Sequence, residues 1–159
     1  MTSLGLRIAG ITFLLDFASK WLLLNVVEMP QRQFIEITPF FNLRMVWNKG
    51  VSFGMFAADS DFGRYLLIAF ALIVVAFLVY WLMKVNTRLL AWAIGLVIGG
   101  ALGNVIDRFL YGAVADFFDF HALGYHFYTF NVADTAISIG VILLILDAFI
   151  YGDESQQKA

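Results

Sequence analysis

Residues 65–106 decide the fold, and they read "YLLIAFALIVVAFLVYWLMKVNTRLLAWAIGLVIGGALGNVI". This run contains two apolar stretches without a charged residue, Tyr65–Met83 and Leu89–Ile106, separated by the polar turn "KVNTR". Each stretch is close to the ~20 residues that an α-helix needs to cross a bilayer. The short turn predicts that these two helices are antiparallel neighbours in a membrane.

The composition of the whole chain also indicates a membrane protein. Hydrophobic residues make up 62% of the 159 residues, charged residues make up 14%, and the mean hydropathy is +0.84. A soluble globule of this size could not bury so much apolar surface. The net charge of −2 argues against a nucleic-acid partner. The chain has no cysteine and two histidines, so we expect neither a metal nor another cofactor.

Hydropathy predicts four spans in a single domain, at about residues 4–24, 65–83, 89–110 and 133–151. The predicted fold class is therefore an all-α membrane protein. Asp16 and Lys20 interrupt the first apolar run, which favours a retained helix over a cleavable signal peptide. The polar tail from residue 152 onwards is expected to be disordered.

Four spans place the loops 25–64 and 111–132 on the same side of the membrane. Within the first loop, "FIEIT" and "LRMVWN" alternate with a two-residue period, which predicts a small β-sheet at the membrane surface. Lys and Arg are balanced between the two sides, so charge leaves the orientation open. The loop could merely cover the helix ends, or, given its aromatic richness and Gly50 and Gly54, it could be a partly mobile lid that contacts a substrate. Its aromatic rings are expected near the lipid headgroups; they are Phe40, Phe41, Trp47, Phe53 and Phe56.

The third span combines a glycine strip with a polar end. Gly95, Gly99 and Gly103 recur every four residues, which predicts a smooth face for close helix packing. Asn104, Asp107 and Arg108 follow within one helical turn, where they could bond to one another. Charges at this depth must be satisfied internally, so we expect this cluster to be a scaffold in preference to a direct participant in chemistry.

Asp16 and Lys20 repeat that logic in the first span. Their spacing of four residues places them on one helix face, where an ion pair would lower the cost of both charges. A pair that stabilises the helix packing is favoured over a catalytic lysine, because no serine motif elsewhere requires a lysine base.

Two further carboxylates are the candidates for catalysis. Asp116 follows the third span and Asp134 opens the fourth, so the loop that joins these helices places both acids at one end of the bundle. Two crowded carboxylates share a proton and can act as acid and base, as in aspartic proteolysis. Alternatively, Asp134 is a helix N-terminal acid and Asp116 a solvated loop acid. An ion-coupled or proton-conducting protein with a carboxylate relay, or a lipid-binding scaffold, also stays open at this point.

Five motifs resemble those of the lipoprotein signal peptidases, also called signal peptidase II. They are, in order, "DFASK" from Asp16, "NKGVSF" from Asn48, "GGALGNVIDR" from Gly99, "VADF" from Val114 and "FNVAD" from Phe130. The resemblance therefore extends from the first span into the fourth. It implies a membrane aspartic endopeptidase that removes the signal peptide of a bacterial prolipoprotein just before a lipid-modified cysteine.

The resemblance also implies roles for individual residues. Asp116 and Asp134 match the catalytic pair, and Asn48 and Arg108 match contacts to the substrate backbone. The positions expected to support or line the site are Asp16, Lys20, Asn48, Gly50, Gly100, Asn104, Asp107, Arg108 and Asn131. The implied partners are diacylglyceryl-modified prolipoproteins and membrane lipid, with the protein acting as a monomer. Both long loops would lie outside the cytoplasm, with the termini on the cytoplasmic side of the bacterial inner membrane.

Overall fold

The structure is a computed structural model that describes residues 1–50 and 61–156, with side chains as far as residue 150. Within this part of the chain, four helices are long and apolar enough to cross a membrane, which confirms the four predicted spans. They are Thr2–Val26, Asp61–Leu82, Arg88–Tyr111 and Val132–Ile150.

The first and last helices differ in detail from the predicted spans. Helix α1 is Thr2–Trp21 and continues into a π-helical turn, Leu22–Val26, before the short helix α2, Met29–Arg32. The remaining helices are α3, Asp61–Leu82; α4, Arg88–Tyr111; and α5, Val132–Gln156. The expected disorder from residue 152 onwards is wrong as far as Gln156, because Glu and Gln are good helix formers that can extend an existing helix. Residues 157–159 lie outside the described part.

Helix α4 is the centre of the bundle and packs against α1, α3 and α5. Its glycines permit the close approach that their spacing predicts. A Cβ atom on Gly95 would lie 2.5 Å from the carbonyl oxygen of Gly5, and one on Gly99 would lie 2.5 Å from that of Ala9. Gly100 has the same relation to α5, because its Cβ would lie 2.5 Å from the carbonyl oxygen of Ala133. Helix α4 therefore fixes the positions of α1 and α5 through backbone contact.

Gly100→Ala is expected to destabilise the bundle by about 1–3 kcal/mol, because the new methyl group overlaps backbone that cannot move without separating α4 from α5. The matched control is Gly10→Ala in α1, where a Cβ would meet nothing within 4 Å. The control should be neutral or slightly stabilising, since alanine is the better helix former. Melting curves in detergent measure both, and equal stability of the two variants would contradict this description of the α4–α5 contact.

A four-stranded antiparallel sheet lies at the end of the bundle where α1 and α4 finish and α3 and α5 begin. The strands follow the order β1-β2-β3-β4. They are β1, Phe34–Thr38; β2, Phe41–Asn48; β3, Val114–Ala122; and β4, Tyr125–His126. The predicted strands "FIEIT" and "LRMVWN" are confirmed as β1 and most of β2. The pairing of β2 with β3 connects the two long loops and places Val46 opposite Asp116.

The strands β3 and β4 lie within 111–132, a region that was predicted only as a loop. The two-residue pattern is weak in β3 because an acidic residue stands on each face, with Asp116 on one and Asp119 on the other. Both acids are buried. Hydrophobic periodicity could not identify a strand whose polar residues point inward on both sides.

The structure describes only some of the aromatic side chains of the first loop that were predicted to lie near the lipid headgroups. Trp47 packs on Tyr111 of α4 with ring centroids 5.5 Å apart, and Phe41 packs on Phe120 at 4.7 Å. Phe40 is exposed at the turn between β1 and β2. The rings therefore attach the sheet to the bundle as well as presenting an aromatic surface. Phe53, Phe56 and Gly54 of the predicted lid lie outside the described residues.

Candidate active site

Asp116 and Asp134 come together at the sheet end of the bundle, as predicted, and Asn131 connects them. Asp116 lies on the central strand β3, and Asp134 lies in the first turn of α5. The side chain of Asn131 donates to Asp116 Oδ1 over 2.7 Å. Its own Oδ1 accepts the backbone N–H of Asp134 over 2.9 Å. One buried carboxamide therefore contacts the carboxylate of Asp116 and the backbone of Asp134.

Asn131 and Asp134 also form the N-terminal cap of α5. The Asn131 backbone N–H donates to Asp134 Oδ2 over 3.3 Å, which completes a reciprocal capping box. The alternative interpretation of Asp134 as a helix N-terminal acid is thus correct in part. Its other oxygen, Oδ1, accepts a hydrogen bond from Asn104 Nδ2 over 2.9 Å. The cap and Asn104 together restrict the carboxylate to one orientation.

Asn48 approaches Asp116 from β2. Its Nδ2 donates to Asp116 Oδ2 over 3.1 Å and to the hydroxyl oxygen of Tyr128 over 3.0 Å. Its Oδ1 accepts the backbone N–H of Gly50 over 2.9 Å. Gly50 has a φ of +95°, a conformation that glycine adopts without the strain of a side chain. Gly50 therefore helps to orient the amide that contacts Asp116.

Asp116 is fully buried, and this environment changes its protonation. Burial raises the pKa of Asp116 from 3.8 to about 7, and the negative charge of Asp134 adds to the increase. The hydrogen bonds from Asn48 and Asn131 act in the opposite direction but do not cancel the effect of burial. Asp116 can therefore carry a proton near neutral pH. A solvated loop acid, the alternative interpretation of Asp116, would be ionised at that pH.

Lys20 is the buried cation beneath the two carboxylates. Its Nζ lies 2.8 Å from Asp16 Oδ2, which confirms the predicted pair in α1. It also lies 2.8 Å from Asp107 Oδ2 of α4 and donates to Asn104 Oδ1 over 3.2 Å. All three of its partners are buried. One ammonium group therefore joins α1 to α4 by one ion pair and one hydrogen bond, in addition to its ion pair with Asp16 within α1.

The two carboxylates bound to Lys20 hold the backbone next to the candidate catalytic residues. Asp16 Oδ1 accepts the N–H of Ala133, the residue before Asp134, over 2.9 Å. Asp107 Oδ2 accepts the N–H of Ala115, the residue before Asp116, over 3.1 Å. Lys20 thus indirectly positions both acids. Sequence spacing could not reveal this link, because it depends on backbone groups of other elements.

The expected bonding within the cluster Asn104, Asp107 and Arg108 is largely wrong. Asp107 pairs with Lys20, and the one internal bond runs from Arg108 Nη1 to the backbone oxygen of Asn104 over 3.2 Å. Adjacent helical residues point about 100° apart, so Asp107 and Arg108 face different surroundings. Among the described residues, Nε of Arg108 is buried without a hydrogen-bond partner.

A groove of about 510 Å³ runs along α5 beside Asp134. The part of its lining that α5 supplies consists of Asp134, Thr135, Ser138 and Ile139. The groove therefore extends more than one helical turn into the membrane-spanning segment. We call it the α5 groove. The residues that line it are Asn48, Phe127, Tyr128, Phe130, Asp134, Thr135, Ser138 and Ile139. Asp134 is therefore the acid that lines this groove, and Asp116 lies buried behind it.

The geometry can be compared with known proteins. A family model described as signal peptidase (SPase) II matches residues 8–150. The chain belongs to the signal peptidase II family. Its relatives include a lipoprotein signal peptidase of Methylobacterium sp. (strain 4-46), 44% identical over 91% of this chain and 87% of the relative. Another, from Rhizorhabdus wittichii, is 47% identical over 92% of this chain and 86% of the relative.

Two solved structures described as bacterial membrane enzymes share the fold of this signal peptidase II family member. One has a TM-score of 0.80 and 30% identity, and the match covers 94% of this chain and 90% of the other. The second has a TM-score of 0.76 and 32% identity, with 89% and 90% covered. Family membership identifies the chain as a membrane protease of lipoprotein processing, in place of the ion-coupled protein or lipid-binding scaffold that the sequence left open.

Several groups at the site were not identified from the sequence. Tyr128 contacts Asn48, and Asp119 and His126 form a pair on β3 and β4 with Nδ1 2.9 Å from Oδ2. The reciprocal cap did have a sequence signal, because an Asn followed three residues later by an acid at the start of an apolar run is typical of a helix N-terminus. The pair of Asp119 and His126 depends on β3 and β4, which the pattern did not predict.

Proposed function

We propose that this member of the signal peptidase II family is an aspartic endopeptidase that cuts prolipoproteins just before a diacylglyceryl-modified cysteine. The observation that carries the proposal is the pair Asp116 and Asp134, held by Asn131, with the first buried and the second beside the α5 groove. Two acids in such different surroundings can divide the roles of acid and base. The active form in this proposal is the monomer.

The proposed reaction starts with Asp134 ionised and Asp116 protonated. Asp134 takes a proton from a water molecule, whose oxygen attacks the carbonyl carbon of the peptide bond in the groove. Asp116 donates its proton to the carbonyl oxygen, and a tetrahedral intermediate forms. Asp134 then delivers its proton to the leaving nitrogen as the C–N bond breaks, and Asp116 recovers its proton from the new carboxyl group. The resting proton is assigned to Asp116 because its pKa is about 7.

The α5 groove suits a substrate that is anchored in the membrane. Ser138 and Ile139 extend the groove into the apolar span, where a signal-peptide helix would lie. A diacylglyceryl group adds ~0.8 kcal/mol of membrane affinity for each buried methylene, so partitioning can concentrate the substrate near the site. The proposed contacts to the substrate backbone are the side chains of Asn48 and Arg108. Among the described residues, Arg108 Nε is buried without a hydrogen-bond partner.

We also propose that the sheet lies on the outer side of the bacterial inner membrane and that both termini are cytoplasmic. A lipoprotein precursor carries its modified cysteine at the outer surface, so a site built at the sheet end of the bundle must face that surface. The two charges of the α3–α4 turn, Lys84 and Arg88, would then lie in the cytoplasm, as cationic loop residues usually do.

The function is tested by incubating purified protein in detergent with a lipidated precursor and with the same precursor lacking the lipid. We expect one cut, immediately before the modified cysteine, and faster cleavage of the lipidated form. A chelator is added in a parallel reaction and should have no effect, because the proposed chemistry uses two carboxyl groups and water. Activity that needs an added metal, or a cut elsewhere in the precursor, would contradict the proposal.

The rate of cleavage is expected to fall as the pH rises above about 7. Asp116 must carry a proton to act as the acid, and its pKa of about 7 means that this form disappears on the alkaline side. The decline should approach about tenfold per pH unit. A melting curve at each pH separates this effect from unfolding. A rate that increases steadily through the same range would contradict the assignment of the acid.

A further inference from the structure

A second cleft lies beside the α5 groove, on the part of the sheet formed by β3 and β4. It has a volume of about 400 Å³. We call it the hairpin cleft. The side chains that line it include Phe40, Phe120, His121, Tyr125, His126 and Phe127. Phe127 also lines the α5 groove, so the two depressions adjoin at this ring.

The polar wall of the hairpin cleft is held in place by buried partners. Asp119 is fully buried, and both of its oxygens lie within 3.0 Å of His126 Nδ1. His121 Nε2 lies 2.8 Å from the amide nitrogen of Asn42, which is also buried. The two imidazole rings stand 5.0 Å apart. They therefore form a pre-organised pair of hydrogen-bonding groups in an aromatic cleft, as binding sites for extended peptides often require.

The position of the cleft indicates what would occupy it. Ser138 and Ile139 extend the α5 groove into the membrane span, whereas the hairpin cleft lies on the sheet beyond the helix ends. A substrate whose signal helix lies along α5 must pass Asp134, and its next residues must leave the membrane. Because Phe127 lines both depressions, a chain that leaves the α5 groove past Asp134 would meet the hairpin cleft next.

We propose that the hairpin cleft binds the segment of the substrate that follows the cleavage site, as an extended polypeptide. Aromatic rings would contact its side chains, and the imidazole groups would bond to its backbone, with Nε2 of His126 available because Asp119 takes Nδ1. This inference rests on the proposed function, because it assigns a subsite to the same reaction. The hairpin cleft contributes to substrate affinity and not to the chemical step.

The test compares two lipidated precursors. One ends directly after the modified cysteine, and the other continues for about ten residues, or about 33 Å of extended chain. The variants are Tyr125→Ala and Phe40→Ala, both on the exposed edge of the cleft. The matched control is Leu123→Ala, on the same hairpin, because Leu123 is 99% exposed and does not line the cleft. Melting curves check that each variant is folded.

The parent protein should have a lower KM for the longer precursor. Tyr125→Ala and Phe40→Ala should lower kcat/KM for that precursor by about fivefold to tenfold, and neither should change cleavage of the short one. Leu123→Ala should cleave both like the parent. Equal kcat/KM of the parent for the two precursors, or equal losses in Leu123→Ala and Tyr125→Ala, would overturn the inference. Failure to cleave either precursor would contradict the proposed function instead.

Discussion

Asp116→Asn and Asp134→Asn are each expected to lower the rate of prolipoprotein cleavage by about 10³-fold or more. An amide can neither accept a proton from water nor donate one to the peptide oxygen, so each substitution removes one half of the acid–base pair. Asparagine has nearly the shape of aspartate, and the neighbouring elements still have their own packing contacts. The loss should therefore appear in kcat, with little change in the amount of folded protein.

The folding stability of Asp116→Asn tests the assignment of the proton to Asp116 independently of the cleavage rate. The folded protein keeps the Asp116 proton up to about pH 7, whereas an aspartate of ordinary pKa releases it near 3.8. The contribution of this group to folding stability is therefore present at low pH and is lost as the pH rises through about 7. Asp116→Asn removes this ionisation, so it should be at least as stable as the parent above pH 7.

The matched control for the aspartate variants is Asp61→Asn. Asp61 also lies in the first turn of a long helix, α3, but its side chain is 81% exposed and pairs with Arg64 at the surface. This substitution removes a helix N-terminal acid whose partner, Arg64, has no assigned part in the proposed chemistry. It should leave cleavage unchanged. Turnover at more than a small fraction of the parent rate in either Asp116→Asn or Asp134→Asn would rule out the dyad.

Lys20→Met is expected to give the largest loss of stability, about 3–5 kcal/mol. The substitution keeps much of the apolar stem but leaves Asp16 and Asp107 buried without a counter-charge. Those two carboxylates hold the N–H groups of Ala133 and Ala115, so cleavage should be lost as well. The measurement is a melting curve in detergent beside a cleavage assay.

A combined variant separates the charge effect from packing. Adding Asp16→Asn and Asp107→Asn to Lys20→Met removes all three charges, and this should recover a large part of the lost stability, since a neutral cluster carries no uncompensated charge. Lys84→Met is the control for lysine substitution as such, because Lys84 is exposed in the turn between α3 and α4. A combined variant no more stable than Lys20→Met would show that packing, and not charge, explains the effect.

The sequence predicted the features that depend on local chemistry. Lipid requires long apolar helices, so hydropathy identified the four spans, and a spacing of four residues identified the pair Asp16 and Lys20. The position of Asp116 and Asp134 at the same end of the bundle could be predicted because one loop joins their helices. These expectations needed no knowledge of how distant segments pack.

The features that were missed depend on contacts between distant segments. The pairing of Lys20 with Asp107 joins α1 to α4, and the strand character of β3 depends on β2 beside it. Inward-facing acids on both sides of β3 removed the alternation by which a strand is recognised. The different partners of Arg108 and Asp107 follow from the helical rotation between neighbours. Side-chain partners across elements were beyond what spacing along the chain could predict.

The central claim is that Asp116 and Asp134 perform the chemistry and that the cluster around Lys20 holds them in place. The most direct measurement records cleavage of the lipidated precursor and the melting temperature on the same preparations of Asp116→Asn, Asp134→Asn and Lys20→Met. We predict that both aspartate variants lose cleavage, that Asp116→Asn melts no lower than the parent, and that Asp134→Asn melts well above Lys20→Met, which loses both cleavage and stability. Aspartate variants that still cleave, or that melt as low as Lys20→Met, would contradict the claim.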